Sequence, residues 1–362
     1  LHPSSFILYP FLMKTLFLFL DGIGLGENDP EKNPFARAKM PYLQSLLGGQ
    51  TLIHETAPFE GEHATLLSVD PNLGVEGLPQ SATGQAVLLT GINIPAELGY
   101  HYGPKPNPEV AKYLDGKTIF SKTIKAGKKT ALLSAYPPRY FAGINSGKHL
   151  YSAIPLALTN AGLPLFTKDD YHAGNALSAD FTGKGWREFL HLPDAPIYEP
   201  EEAGKKLAEL ANHYDFSLFE YWASDYAGHK QDMDSAVKQM ERFDGVLKGL
   251  LESKSGWQPD LLAEVVAQFA ANGRVAQAAE GLRFDLAHAL ARHAHLAPDQ
   301  IDWIKGYDKD GRPIKTTRTF TPQPARPRRP AWSWASRACA ASATARRHRS
   351  RRTSVRSAPT TS

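Results

Sequence analysis

The run Thr15 to Leu20 constrains this chain most. Six β-branched, aromatic and aliphatic residues stand directly before Asp21, Gly22, Gly24 and Gly26. With no room for a helical turn before the glycines, the run predicts a buried strand. The glycines let the backbone turn away from its end. In open α/β sheets, ligands gather beyond the carboxyl ends of strands, which puts Asp21 where chemistry is expected. Asp21 is either such a functional carboxylate or an ordinary capping residue before a turn. The spacing does not fit a dinucleotide loop. It is Gly-x-Gly-x-Gly, and a preceding carboxylate would repel a pyrophosphate.

A second strand is predicted at Phe216 to Trp222. It leads into Ala223-Ser-Asp225-Tyr-Ala-Gly228-His229, which sets a carboxylate and an imidazole one helical turn apart. Helices flank it. In 201–212, Ala203, Leu207 and Leu210 share a face opposite Lys205, Lys206 and Glu209. In 234–252, Val237, Met240, Leu247 and Leu251 form one stripe. Earlier, Ser81 and Thr83 open a helix after a proline-containing turn. An N-cap is the ordinary reading, but a helix amino end also favours an anionic phosphate near a hydroxyl nucleophile. Pro41 starts another short helix.

Charge separates the body from the carboxy-terminal stretch. From Thr316 onward there are 11 Arg and no Lys, Asp or Glu. Removing those 11 from the 41 basic residues leaves 30 against 37 acidic, so the first 315 residues carry −7. An acidic body argues against a nucleic-acid-binding face. The 316–362 tail has too few aliphatic residues to offset the entropy of ordering, and is expected to be disordered. The one cysteine, Cys339, lies in that tail, which excludes an internal disulfide framework and fits a reducing, cytoplasmic setting. Pro10 and Lys14 interrupt the apolar start, and no small-residue cleavage site precedes Asp21. Neither a signal peptide nor a membrane anchor is expected. Met13 reads as the natural start, with 1–12 an upstream extension.

Residues 95–200 differ in composition, being rich in Pro, Gly, Tyr and scattered bases. They are read as an inserted cap domain between two parts of an α/β core, 13–94 and 201–262. Within the cap, 129–134 reads as a strand and 151–157 as a short helix. Arg139, Lys148 and Arg187 are its candidate contacts for an anionic substrate. Residues 263–315 begin Ala-rich and helical, with Val265, Val266, Phe269, Leu282, Leu286 and Leu290 as the apolar positions.

Taken in order, strand-Asp21-Gly22, Asn33-Pro34, the Ser81 helix start and the Asp225/His229 block resemble the alkaline phosphatase superfamily of two-metal enzymes. The branch is that of cofactor-independent phosphoglycerate mutase and phosphopentomutase, and the resemblance spans 13–262. It implies a mostly parallel α/β sheet with helices on both faces. It makes Asp21 a ligand of one metal, Asp225 and His229 ligands of another, and Ser81 the nucleophile, with Thr83 the alternative. Mixed Asp, His and hydroxyl ligands suit Mn²⁺ or Zn²⁺. Two ions about 4 Å apart would support phosphoryl transfer on a small phosphorylated metabolite, by a mutase or a phosphatase. The family completes its sites with an Asp-His-Gly at the end of a further core strand, expected near Pro259, and a downstream His. No Asp-His pair occurs in this chain. His288, His293 and His295 lie in the Ala-rich stretch and read as surface or packing residues. The expectation is therefore an impaired enzyme. Its alternatives are a non-catalytic metal- or ligand-binding member, or a frameshifted or fused gene end. A nucleic-acid role through the basic tail is the weakest reading.

Overall fold

The computed structural model describes residues 14–253 and, as backbone, 263–267. It is a mixed α/β structure built on a four-stranded parallel sheet, with no closed barrel. The strands are β1 (Thr15–Leu20), β2 (Thr130–Leu132), β3 (Phe216–Tyr221) and β4 (Ala263–Ala267). They lie in the order β2-β3-β1-β4. The register aligns Leu20 with Tyr221 and Thr15 with Phe216, so β1 and β3 end together. The principal helices are α1 (Pro41–Leu46), α2 (Ser81–Thr90), α3 (Ile119–Lys125), α4 (Ala153–Asn160), α5 (Pro200–Ala211), α6 (Ala223–His229) and α7 (Met233–Leu251). Among the described residues no helix is long and apolar enough to cross a membrane.

Successive strand residues point to opposite faces, so a strand apolar at every position must be covered on both. On one face Leu16, Leu18 and Leu20 join Phe219 and Tyr221 under Leu207 of α5 and Val246 and Leu250 of α7. On the other, Phe17 and Phe19 join Phe216 and Leu218 under Ala86 and Leu89 of α2, Phe120 of α3, and Ile154 and Leu158 of α4. Burying each large side chain stabilises by about 1.5–3 kcal/mol. Helix α1 shows how the layers are tied. Its N-cap, Met40, offers no side-chain bond. Asp244 of α7 supplies the acceptor instead, taking the Leu43 amide at 2.7 Å and the Tyr42 amide at 3.1 Å.

Two expectations are corrected here. Residues 95–200 are not set apart from the core. They supply β2, which pairs with β3 through Thr130 and Phe216, and α3, whose Phe120 meets the Phe216 ring edge-on at 5.8 Å. Together with α2, their apolar residues form the second cover of the sheet, over Phe17 and Phe19. Residues 263–267, read as helical, form β4 in parallel register with β1. The β-branched pair Val265-Val266 and an open edge of β1 outweigh the helix propensity of the surrounding alanines. The remainder of the Ala-rich stretch, its three histidines, the 1–12 extension and the 316–362 tail lie outside the described residues.

Candidate functional site

Because β1 and β3 end in register, the segments leaving the two strands emerge at one edge of the sheet. Asp21 comes directly after β1, its amide held by the Tyr221 carbonyl at 2.8 Å. Alternation puts its side chain on the face of Phe17 and Phe19, the one covered by α2. There Ser81 Oγ donates to Asp21 Oδ2 at 3.4 Å, and Gln85 Nε2 to the same oxygen at 3.3 Å. Ser81 and Gln85 are one turn apart, so one helix face presents both. Ser81 is the first residue of α2 and Gln80 is the cap residue, whose side chain makes no capping hydrogen bond to the helix. The Ser81 hydroxyl is therefore not used as a helix cap. That corrects the ordinary N-cap reading.

The chain after β3 folds at once into α6, which carries Asp225 in its first turn and His229 in its last. Asp225 Oδ1 and His229 Nε2 are 3.5 Å apart. Helix α6 is locked to the end of β1 by the Ser224 hydroxyl, which donates to the Asp21 carbonyl at 2.6 Å. Gly22 permits the approach. It sits at φ +70°, and a Cβ placed there would lie 2.5 Å from the Asp225 Cα and 2.9 Å from its Oδ1. Asp21, Ser81, Asp225 and His229 are thus brought together.

The electrostatics arise from that crowding. Burial, then the charge of Asp225, pushes the Asp21 carboxyl up to about 6, against smaller opposing effects of the Gly22 amide, Ser81 and His229. Burial also raises Asp225, and His229 opposes it. Among the described residues no Lys or Arg offsets either carboxylate. The Oε1 of Gln85, a side chain only 5 % exposed, has no hydrogen-bond partner. Two crowded carboxylates with no Lys or Arg partner among the described residues, a hydroxyl, an imidazole and an orphaned amide oxygen form a donor set suited to a divalent cation. No group of three or more His, Cys, Asp or Glu with metal-holding geometry occurs among the described residues. The donors come as two pairs, Asp21 with Ser81 and Asp225 with His229.

Other expected site residues lie elsewhere in the bonding scheme. Thr83 is fully buried, and its hydroxyl is engaged with the Gln80 and Tyr102 carbonyls and the Tyr102 amide. It is committed to the fold. Arg139, Lys148 and Arg187 are exposed, and Arg187 Nε donates to the Ala195 carbonyl. None of them acts on Asp21 or Asp225.

Sequence reasoning passed over Gln85, Ser224 and Glu220. Glu220 is the one charged residue inside β3, which was a legible signal. Its carboxylate accepts a hydrogen bond from the Tyr136 hydroxyl. Burial, with a smaller contribution from Asp21, raises it to about 7, against opposing effects of Tyr136 and Lys105.

No family model and no curated protein matches this chain. Among solved structures it is similar to the PH0037 protein from Pyrococcus horikoshii, with 14% identity and a TM-score of 0.37. The match covers 66% of this chain and 74% of that one. At that level the likeness carries no argument.

Proposed function

We propose that this chain is a metal-dependent phosphoryl-transfer enzyme of the alkaline phosphatase type, a phosphomutase or phosphatase acting on a small phosphorylated metabolite, with weak turnover. One observation carries the reading. Two carboxylates from different strand ends are crowded together beside a serine hydroxyl, and among the described residues no Lys or Arg neutralises them. Such repulsion is tolerated where a divalent cation is the counter-charge.

Asp21 and Ser81 would hold one ion, and Asp225 and His229 the other, with Mn²⁺ or Zn²⁺ matching these ligands. Bound there, the metal supplies Lewis-acid stabilisation of phosphoryl oxygens and lowers the pKa of a coordinated hydroxyl. The residues supply the rest. Ser81 Oγ attacks phosphorus, and its proton passes to Asp21, the carboxylate it already faces. The bond from phosphorus to the leaving oxygen breaks as the bond to Ser81 forms. The leaving oxygen keeps the electron pair and takes a proton from solvent. Water or the returning alcohol then displaces Ser81 from phosphorus, while Asp21 gives the proton back to its Oγ. The amino end of α2 stabilises the negative phosphoryl oxygens. Ser224 and Gly22 keep Asp21 and Asp225 in register. Among the described residues there are two protein donors per ion, short of the roughly three that an open catalytic site keeps. Low metal affinity and slow turnover are the consequence.

The test is calorimetric titration with Mn²⁺, followed by hydrolysis of 4-nitrophenyl phosphate. Mn²⁺ binding that Asp225→Asn abolishes, with slow hydrolysis lost in Ser81→Ala, is the expected result. Hydrolysis that survives in Ser81→Ala removes Ser81 as nucleophile. An absence of Mn²⁺ binding ends the metal reading.

A further inference from the structure

A groove of about 390 Å³ opens beside the amino end of α2, lined by residues 76–78, Gln80 and residues 100–103. Its place is fixed by Gly103. A Cβ there would lie 3.0 Å from the Gln80 Cβ and 3.1 Å from the Ser81 amide, so the groove wall packs tightly against the amino end of α2. The two walls are tied together by the His101 ring, 3.2 Å from the Val75 carbonyl. The Thr83 amide anchors the second wall by donating to the Tyr102 carbonyl at 3.0 Å.

The lining mixes polar and apolar surface, and its exposed apolar part is aliphatic and aromatic. Leu78 is 59 % exposed and Tyr102 37 %. The Tyr100 and Tyr102 rings meet edge to face at 6.3 Å. Among the described residues Glu76 is the one charged lining residue, and no Lys or Arg lines the groove. Lys105, close by in sequence, turns its ammonium to the Leu150 carbonyl at 2.7 Å. A groove of this make-up favours a ring or hydrocarbon face and disfavours a second negative group.

We infer that this groove is the leaving-group subsite, and that the substrate is the phosphate monoester of an uncharged, ring-bearing or apolar alcohol. The inference rests on Ser81 being the phosphoryl acceptor. It narrows the substrate class. Carboxylated and bis-phosphorylated metabolites, which need a cationic clamp beyond the reacting phosphate, do not fit.

Three non-reacting probes separate the two readings in calorimetry with the Mn²⁺-loaded full chain: inorganic phosphate, phenylphosphonate and phosphonoacetate. Phenylphosphonate should bind about tenfold more tightly than phosphonoacetate, roughly the gain from burying part of a ring. Leu78→Ala and Tyr102→Ala together should remove most of that gain and leave inorganic phosphate within about twofold. Leu78 is largely exposed, so the single Leu78→Ala variant keeps the fold and should show part of the loss. If inorganic phosphate binds but phenylphosphonate gains nothing over phosphonoacetate, the subsite is overturned and the phosphoryl site stands. If the double variant weakens all three probes equally, the groove is not the subsite. If inorganic phosphate does not bind, the proposed function fails and the subsite fails with it.

Discussion

The Ser224 hydroxyl donates to the main-chain carbonyl of Asp21 at 2.6 Å, joining two positions 203 residues apart. This bond fixes the helix that carries Asp225 and His229 to the strand end that carries Asp21. Ser224 is 6 % exposed, so its removal leaves a carbonyl short of a donor in a poorly hydrated place. Ser224→Ala should cost about 1–2 kcal/mol in urea unfolding. Mn²⁺ affinity should fall as well, since the two donor pairs lose their common anchor. Unchanged affinity in the folded variant would show that the bond serves stability alone.

Gly22→Ala tests the same junction sterically. The added Cβ would meet the Asp225 Cα at 2.5 Å, and φ +70° is itself unfavourable for a side chain. The left-handed conformation alone costs about 1–2 kcal/mol. Displacement of α6 adds to it, so a loss of roughly 2–4 kcal/mol is expected. A drop in melting temperature no larger than that of an ordinary glycine turn would mean that α6 moves freely.

Glu220 sets a pH dependence. Burial raises its carboxyl from 4.5 to about 7 in the folded chain, so between those values the folded state holds a proton that the unfolded state has released. Its contribution is full below about 4.5 and is lost as pH rises through about 7. A shift of this size corresponds to roughly 3 kcal/mol. Asp21, raised to about 6, acts in the same direction without metal. The metal-free protein should unfold at lower urea at pH 8 than at pH 5.5, and Glu220→Gln should flatten that difference. A Glu220→Gln variant with the full pH dependence would place it elsewhere.

Gln85 separates charge from packing. Gln85→Leu removes the donor to Asp21 together with the orphaned Oε1, so stability should change by no more than about 1 kcal/mol. Gln85→Glu instead adds a third carboxylate to the cluster. It should destabilise the metal-free protein at pH 8 and gain more melting temperature from Mn²⁺ than the parent does. Equal Mn²⁺ gains in both proteins would show that Gln85 faces away from the cation.

Local periodicity was enough for β1, β3, α5 and α7, since an apolar run or a stripe of period 3.6 is a property of adjacent residues. The order of Asp21, Ser81, Asp225 and His229 was likewise legible in the chain. Partnership was not. Thr83 and Ser81 look alike as hydroxyls at a helix start, and only packing turns one hydroxyl to the Tyr102 backbone and leaves the other facing Asp21. Three residues, Thr130 to Leu132, are too short a run to declare themselves part of the central sheet, and their place depends on the edge that β3 offers. The strand at 263–267 was hidden by alanines whose helix preference, at most about 0.7 kcal/mol per residue over most others, yields to pairing along β1. Gln85 and Ser224 carry no motif at all, and the lone charge of Glu220 in an apolar strand marks a position without naming its partners. What makes them part of the site is the parallel register that ends two strands at one edge. That register is a contact between segments some 200 residues apart, which only the tertiary structure decides.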